Sequence, residues 1–310
     1  MNEASLKRKR FRELLAGSST VMMPGGFSPM YARMAESIGF QTFFVAGSQM
    51  ASFLLGVPDN GVIGLRDVVD HGRHVASSVG IPVLLDADTG FGNGVNVAYS
   101  TKEIVRSGVA GLQLEDMETP RRLGAKGLSV ISLPEATAKV LSAVRARDEI
   151  DPEFVVVARC DALSDANSSL DDVVARCVAY AEHGRADMIW LNAVQTRAQL
   201  EAVCKASPVP VLCNWMSTSE PPPSLQEYED LGCRIALFPV VASLAGLQGA
   251  WEVLNDLQAR GSVALTDWAA ASKAHAHGAI DFRRLNGMHE AAALGDELAA
   301  FEHAVGMPRG

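Results

Sequence analysis

Eight short apolar segments recur along the chain, and their spacing limits the possible folds more than any other feature. Each segment is rich in aliphatic or β-branched residues and is followed by a longer stretch of helical periodicity. In residues 170–184, for example, Val173, Cys177 and Ala181 recur every four positions and share one helix face. The apolar segments are residues 20–23, 40–47, 81–88, 109–116, 154–159, 187–193, 209–215 and 233–240.

This alternation predicts a parallel sheet covered by helices, because strands that are apolar along their whole length are buried on both faces. Eight strand–helix units favour an α/β fold of the (β/α)₈ TIM-barrel type. An open, doubly wound sheet is the alternative. It is disfavoured because Gly90, Gly92 and Gly94 alternate and lack the G-x-G-x-x-G spacing of a dinucleotide-binding turn.

The length and composition fit one large barrel with an appendage. The chain has 310 residues, of which 48% are hydrophobic, so it can bury a large core. We predict a barrel body over residues 1–242 and C-terminal helices over residues 243–310, within a single domain overall. The second region is longer than one closing helix requires, which predicts contacts with a neighbouring subunit.

Composition also argues against several classes of protein. The net charge of −9 does not suit a nucleic-acid-binding surface, and no apolar run approaches the roughly 20 residues of a membrane span. Five cysteines without a C-x-x-C pair, and a polar N-terminus without an evident secretory signal, predict a soluble, cytoplasmic protein with reduced thiols. The basic cluster at residues 7–12 is predicted to form a solvated helix face.

Acidic residues lie where two neighbouring strands end. The third segment ends with Asp86 and Asp88, and the fourth ends with Glu115. The active site of a parallel barrel lies at these strand ends, and residues two apart on a strand share a face. Three carboxylates without a nearby thiolate or imidazole predict a site for Mg²⁺, with Mn²⁺ as a possible substitute. Ion pairs or helix caps are the alternative for each acid taken alone.

Three sequence motifs resemble the isocitrate lyase/phosphoenolpyruvate mutase superfamily: DADTGFGN at 86–93, LED at 114–116 and VARCDAL at 157–163. PDNG at 58–61 and the segment 282–302 are similar to its smaller members, so the resemblance covers nearly the whole chain. It implies a TIM barrel whose eighth helix is swapped with a partner subunit, usually in a tetramer built from dimers. It also implies Mg²⁺ held near the three carboxylates, partly through water.

The resemblance implies further roles at the strand ends. Asp59 would lie close to the metal and the reacting centre, and Arg159 would pair with oxygen atoms of the substrate. Breaking a bond at C3 of a 2-oxo or 2-hydroxy carboxylate leaves an enolate, whose charge the metal stabilises. The residues expected to contact the substrate are Ala46, Gly47 and Ser48 through their backbone N–H groups, together with Arg159, Asn192 and Asn214.

The loop after the fourth strand discriminates between branches of this superfamily. Lyases of the methylisocitrate type carry K-[KR]-C-G-H there, and their cysteine is taken as the acid that protonates the departing enolate. This chain has Leu123 at the cysteine position and Ala125 at the histidine position. Leucine cannot transfer a proton, which argues against a standard methylisocitrate lyase. The K-x-N-S element of the phosphonate-forming mutases is also missing from this loop.

The loop is closest to that of oxaloacetate decarboxylase-like members, whose P-x-x-[FL]-G-x-K run is matched by Pro120, Leu123, Gly124 and Lys126. We therefore predict a Mg²⁺-dependent lyase or decarboxylase of a small 2-oxo or 2-hydroxy di- or tricarboxylate. Arg122 is a candidate for binding a distal carboxylate of the substrate, although a solvated basic loop explains it equally well.

Three alternatives to the decarboxylase remain open. The first is C–P chemistry of the phosphoenolpyruvate mutase or phosphonopyruvate hydrolase type. The second is a methylisocitrate or alkylmalate lyase without the usual loop cysteine, since Trp215 and Met216 suggest a bulkier, more apolar substrate. The third is a barrel without catalytic activity, which has no need of the three carboxylates together.

Overall fold

Eight parallel strands form a closed barrel in a computed structural model of the chain, which describes residues 2–120 and 128–304. Each strand pairs with the next along the chain, and the eighth pairs with the first to close the ring. The predicted (β/α)₈ TIM barrel is therefore confirmed. The strands are β1 (Val21–Gly26), β2 (Phe43–Val45), β3 (Val83–Asp86), β4 (Gly111–Glu115), β5 (Val155–Cys160), β6 (Met188–Val194), β7 (Val211–Trp215) and β8 (Cys233–Phe238).

Helices connect the strands, and side-chain caps fix several of their first turns. The seventh helix, for example, begins after Ser169, whose hydroxyl accepts the N–H of Asp172 while the Asp172 carboxylate accepts the N–H of Ser169. Within the described residues, every helix is too short or too polar to serve as a membrane span. The helices are α1 (Glu3–Ala16), α2 (Pro29–Ile38), α3 (Gly47–Met50), α4 (Leu65–Ser78), α5 (Gly94–Arg106), α6 (Leu133–Asp148), α7 (Leu170–Glu182), α8 (Arg197–Ala206), α9 (Leu225–Asp230), α10 (Val241–Arg260), α11 (Val263–Ala274), α12 (Ala279–Leu285) and α13 (Met288–Ala304).

The hydrophobic core has two layers, and the alternation of side chains along each strand assigns residues to one or the other. On β5, Val155 and Val157 belong to the cluster inside the barrel, whereas Val156 and Ala158 belong to the cluster between the sheet and the helices. The barrel interior is therefore filled with side chains and is closed to through passage. In such a barrel, binding and chemistry take place at the ends of the strands.

Helix α1 covers the amino-terminal end of the barrel. Phe11 and Leu15 are buried in the interior cluster. The predicted solvated basic face is wrong in part, because Lys7 and Arg8 are buried. The Nε of Arg8 donates to the carbonyl oxygen of Val109 at 3.1 Å. Buried backbone carbonyl groups need hydrogen-bond donors, and Arg8 supplies one at this end of the barrel.

The chain divides into two compact units between Ser243 and Leu244. The first contains the barrel, and the second contains α11, α12, α13 and most of α10. Large apolar side chains of the second unit are exposed within this single chain. They include Leu247, Trp251, Leu254, Trp268, Phe282, Leu298 and Phe301.

Candidate active site

The side chains that face the barrel interior change from apolar to polar at the carboxyl ends of the strands. On β5, Val155 and Val157 face inward, and the next inward residue is Arg159. The same alternation places further polar groups at this end of the barrel, as their contacts with one another show. They are Asp86 on β3, Glu115 on β4, Asn192 on β6 and Asn214 on β7.

Asp86 is held by three hydrogen bonds. Its carboxylate accepts the N–H of Gly47 at 2.9 Å, the N–H of Asp88 at 2.9 Å and the side-chain amide of Gln113. Gln113 is fully buried and lies opposite Asp86 in the β3–β4 register. Sequence reasoning missed Gln113. The sequence does show a single amide side chain within an otherwise apolar strand. Its hydrogen-bond partner, however, depends on how the two strands pair.

Asp88 lies beyond the end of β3, in a turn. Its φ of +49° is in the left-handed region, which few non-glycine residues occupy. Strand alternation, the reason given for expecting Asp86 and Asp88 to project the same way, does not apply, because β3 ends at Asp86. The turn nevertheless brings both carboxylates to one small cleft, which Gly47 and Asp59 also line.

Glu115 and Arg159 are register partners on β4 and β5, and they form an ion pair of 3.1 Å. The guanidinium lies 4.9 Å from the centre of the Trp190 ring, in a cation–π contact. Burial alone would lower the pKa of Arg159, but the charges of Asp161 and Glu115 outweigh it and raise the pKa above its ordinary value. Arg159 is therefore a fixed, permanently charged group at the mouth of the barrel.

A bulge on β6 contains one of the two amides of the site. The register between β6 and β7 shifts between Leu191 and Val194, and Ala193 has a φ of +57°. Within this bulge, Asn192 donates its side-chain N–H to Asp161. Asn214 on β7 accepts the indole N–H of Trp190 at 2.8 Å. Trp190 and Asp161, to which the sequence assigned no role, thus contact three of the predicted site residues.

The backbone N–H groups after β2 fit the prediction only in part. The N–H of Ala46 donates to the carbonyl of Gly26 at 3.0 Å, so it is committed to the barrel and cannot bind a substrate carboxylate. The N–H of Gly47 donates to Asp86, so it is likewise committed within the protein and does not support the predicted contact with the substrate. A β-carbon at Gly47 would lie 3.0 Å from that carboxylate, so the close approach favours glycine. Ser48 follows in the first turn of α3.

Among the described residues, no three carboxylate, imidazole or thiolate groups lie close enough to form a complete metal site. This still fits Mg²⁺, which retains several waters and is usually held by one or two carboxylates together with the substrate. Asp86, Asp88 and Asp59 offer hard oxygen donors around one cleft. Arg122 lies outside the described residues, so its predicted role stays a prediction.

Lys139 on α6 is a second group that sequence reasoning missed. Its side chain is buried, with 4% of the residue exposed. Burial lowers the pKa of Lys139, while the negative charges of Glu135, Asp88 and Glu115 act in the opposite direction. Lys139 is therefore a buried amine that interacts electrostatically with two of the predicted metal ligands, Asp88 and Glu115.

Asp116 follows Glu115 in the chain but contacts the surrounding helices. Its carboxylate accepts the hydroxyl of Tyr180 at 2.6 Å and a guanidinium N–H of Arg176 at 3.2 Å, both from α7. Burial, followed by the charge of Asp161, raises the pKa of Asp116 to about 6. Asp116 thus has a structural role, on the side of the sheet that faces helix α7.

The fold and the polar strand ends define a TIM-barrel enzyme. A family model described as phosphoenolpyruvate phosphomutase matches residues 11–250. The chain therefore belongs to the phosphoenolpyruvate mutase family, within the isocitrate lyase/phosphoenolpyruvate mutase superfamily. The resemblance predicted from the sequence motifs is confirmed.

Similar proteins with curated names include lyases and decarboxylases. The probable 2-methylisocitrate lyase 2 of Corynebacterium glutamicum is 34% identical over 265 residues, which cover 84% of this chain and 83% of the relative. An oxaloacetate decarboxylase of Rhodopseudomonas palustris is 33% identical over 256 residues, covering 81% of this chain and 85% of the relative. The predicted enzyme class, a lyase of this superfamily, is confirmed.

Solved structures of the superfamily match almost the whole chain. Oxaloacetate acetylhydrolase in complex with 3,3-difluorooxalacetate superposes with a TM-score of 0.83 at 26% identity, covering 95% of this chain and 98% of that one. A phosphonopyruvate hydrolase complex with oxalate and Mg²⁺ superposes with a TM-score of 0.80 at 26% identity, covering 93% and 97%. Members of the superfamily use a divalent metal.

Proposed function

We propose that this protein is a Mg²⁺-dependent lyase that decarboxylates oxaloacetate or a closely related small 2-oxo or 2-hydroxy di- or tricarboxylate. The proposal depends chiefly on one observation: Asp59, Asp86 and Asp88 line a cleft at the same end of the barrel as the fixed cation Arg159. A site with acids for a divalent metal and a cation for a carboxylate suits a chelating, anionic substrate. The similarity to oxaloacetate decarboxylases agrees with this assignment.

The metal would be held by Asp86, with Asp88 and Glu115 acting directly or through water. When bound, Mg²⁺ or Mn²⁺ supplies Lewis-acid chemistry that stabilises negative charge on substrate oxygen atoms. Gln113 and the N–H of Gly47 keep the Asp86 carboxylate in one orientation. Tight and selective metal binding requires that the side chains that hold the metal be oriented by such supporting hydrogen bonds.

The remaining polar groups would orient the substrate. Arg159 offers a planar, charged donor to a carboxylate, and Ser48 lies in the first turn of α3, beside the cleft-lining Gly47. Asn192 and Asn214 would line the side of the pocket opposite β3. When the C3–C4 bond breaks, CO₂ leaves and the electron pair at C3 takes up a proton.

The proton would come from water or from a carboxyl group such as Asp59. Leu123 stands where related lyases have a cysteine acid, and leucine has no proton to give. Decarboxylation tolerates this change because its product needs one proton and no dedicated thiol. Arg122 remains a candidate for binding the distal carboxylate.

The experiment is a substrate panel with Mg²⁺, containing oxaloacetate, 2-methylisocitrate, 2,3-dimethylmalate and phosphonopyruvate. We expect pyruvate and CO₂ from oxaloacetate, identified by mass spectrometry. Oxalate and acetate from oxaloacetate, or phosphate from phosphonopyruvate, would overturn the decarboxylase assignment. The panel must be run with and without enzyme, because oxaloacetate also loses CO₂ in the presence of free metal ions.

An alkylmalate lyase has less support. Its motive was the apolar pair Trp215 and Met216. The Trp215 ring lies 5.6 Å from the guanidinium of Arg197 on α8, and its N–H donates to the carbonyl of Glu220, in the loop after β7, at 3.2 Å. Trp215 is thus engaged within the protein, which leaves Met216, exposed after β7, as the support for a larger apolar substrate pocket.

The protein is also proposed to be a cytoplasmic homo-oligomer, a dimer of dimers with exchanged C-terminal helices. The many exposed large apolar side chains of the second unit support this, because apolar side chains exposed in such number usually contact another chain. The five cysteines are all free thiols, which agrees with a reducing compartment.

A further inference from the structure

Two donors from neighbouring strands converge on one carboxylate oxygen. The Oδ1 atom of Asp161 accepts an Nη2–H of Arg159 at 2.8 Å and a side-chain N–H of Asn192. Asp161 directly follows β5 and is buried, with 1% of the residue exposed. The two residues proposed to bind the substrate are therefore tied to the same atom of a third residue.

Asp161 is itself anchored from outside the barrel. Its backbone N–H donates to Oδ1 of Asp116 at 2.8 Å, and its carbonyl accepts the N–H of Ser164 at 2.8 Å. Tyr180 and Arg176 hold the other oxygen of Asp116. The Asp161 carboxylate consequently has a defined position, set by contacts that reach α7.

Charge balance alone does not explain this carboxylate. Arg159 already has Glu115 as an ion-pair partner, and a second buried acid reduces the positive potential that attracts an anionic substrate. The Oδ2 atom of Asp161 is also buried without a hydrogen-bond partner among the described residues, which is costly. The Asp161 carboxylate thus weakens the attraction for an anionic substrate and leaves one of its own oxygen atoms unpaired. Its presence calls for a role other than balancing the charge of Arg159.

We propose that Asp161 is a positioning residue that sets Arg159 and Asn192 together for binding one carboxylate of the substrate. The inference rests on the proposed function, in which both residues contact the substrate. Asp161 acts through them and does not touch the substrate. The ring of Trp190 also contacts the same guanidinium, 4.9 Å from its centre.

The test is Asp161→Asn, with oxalate as the probe in the presence of Mg²⁺ and isothermal titration calorimetry as the measurement. The positioning role predicts that oxalate binds about tenfold more weakly, since a hydrogen bond to a charged group is worth roughly one decade of affinity. It also predicts a higher KM for the preferred substrate with a smaller change in kcat. A purely electrostatic role predicts the opposite sign, because removing a negative charge near Arg159 would tighten anion binding. Unchanged or tighter binding would overturn the inference.

Two comparisons separate positioning from general damage. Asp171→Asn makes the same chemical change on the exposed face of α7 and should leave oxalate affinity unchanged. Asn192→Ala removes the second donor to Asp161, and its effect should be non-additive with that of Asp161→Asn. Additive effects would show that the two residues act independently and would contradict the shared role.

Tryptophan fluorescence gives a readout that needs no substrate. Because Arg159 lies over Trp190, a change in the guanidinium position should change the emission of Trp190 in both Asp161→Asn and Asn192→Ala. That change should vanish when Trp190 is replaced by Phe. If Asp161→Asn does not fold, Asn192→Ala carries the same test, and unaltered emission there would overturn the proposal.

Wild-type protein that binds no oxalate with Mg²⁺ would overturn the proposed function and this inference together, whereas wild-type binding with an unaffected variant would overturn only the inference.

Discussion

Glu115 and Arg159 lie opposite each other on β4 and β5, and their side chains form a 3.1 Å ion pair at the mouth of the barrel. The strand register thus places an acid suited to a metal directly beside a cation suited to a carboxylate. The proposed metal ligand and the proposed carboxylate-binding residue are therefore neighbours because their strands pair, and no loop is needed to bring them together. A chelating substrate could use both at once.

Removal of the metal or of its proposed ligand should abolish activity. Treatment with EDTA should inactivate the enzyme, and added Mg²⁺ should restore it, because no side chain replaces a Lewis acid. Asp88→Ala should lower kcat/KM by at least about a hundredfold, an effect typical of a lost charge at the reacting centre. The measurement is the decarboxylation rate, with Asp171→Asn as the exposed control. Full turnover by rigorously metal-free protein would contradict the mechanism.

Gln113→Leu should weaken metal binding while leaving the barrel intact. The substitution removes the amide that orients Asp86 and keeps a similar volume in a fully buried position. Loss of such a supporting contact typically lowers metal affinity by about 10–100-fold. Mn²⁺ titration followed by electron paramagnetic resonance measures this directly. Gln226→Leu, the same change on the exposed helix α9, should have no effect on Mn²⁺ affinity.

Much of the site could be predicted because it follows from the order of residues along each strand. The alternation of strands and helices predicted the barrel, and the positions of Asp86, Glu115 and Arg159 where their strands end predicted that they lie at its carboxyl end, while their roles came from the family resemblance. These inferences need only the order of residues within one strand. Asn192 and Asn214 follow from the same rule.

The supporting residues could not be predicted, because they depend on pairing between strands. Gln113 contacts Asp86 only in the observed β3–β4 register. Trp190 meets Arg159, and Asn192 meets Asp161, only through the pairing of β5 with β6, which no motif within one segment encodes. The position of Asp88 depends on a left-handed turn, for which the sequence gives only the nearby glycines as a signal.

Thiol reagents should not inactivate the native enzyme. Cys160 and Cys213 are buried, and Cys204 is half-buried. Neighbouring thiols and burial raise the pKa of Cys160 and Cys213, and burial raises that of Cys204, which suppresses the reactive thiolate. Incubation with iodoacetamide at neutral pH should therefore leave activity unchanged, whereas all five thiols should react in urea. Rapid inactivation would indicate an essential cysteine, as in lyases with a loop thiol.

Asp116 should make a distinct contribution to the pH dependence of stability. Its folded-state pKa of about 6 lies above the ordinary value of 3.8, so between these pH values the folded state retains a proton that the unfolded state releases. The stability contributed by this group is therefore greatest below about pH 4, falls as the pH rises to 6, and is constant above that. The total change should not exceed about 3 kcal/mol, at 1.36 kcal/mol per pKa unit.

Urea unfolding of wild type and Asp116→Asn between pH 4 and 7 measures this contribution. The free energy of unfolding of the wild type, relative to the variant, should decrease across pH 4 to 6. Asp171→Asn accounts for the loss of one negative charge at the surface. A difference that is flat with pH, or that rises, would show that Tyr180 and Arg176 stabilise the ionised carboxylate more than burial destabilises it.

Charges placed on α10 should dissociate the proposed oligomer. Trp251 and Leu254 are 61% and 60% exposed in the single chain, and burial of such a side chain contributes about 1.5–3 kcal/mol. The double substitution Trp251→Glu and Leu254→Glu should therefore reduce the molar mass measured by light scattering, because buried carboxylates without partners are costly. Gln248→Glu adds charge to an exposed position of the same helix without removing apolar surface, and it should leave the mass unchanged. Circular dichroism checks that the helices persist. Wild-type protein with the mass of one chain would refute the oligomer, since the apolar surface would then be stable in water.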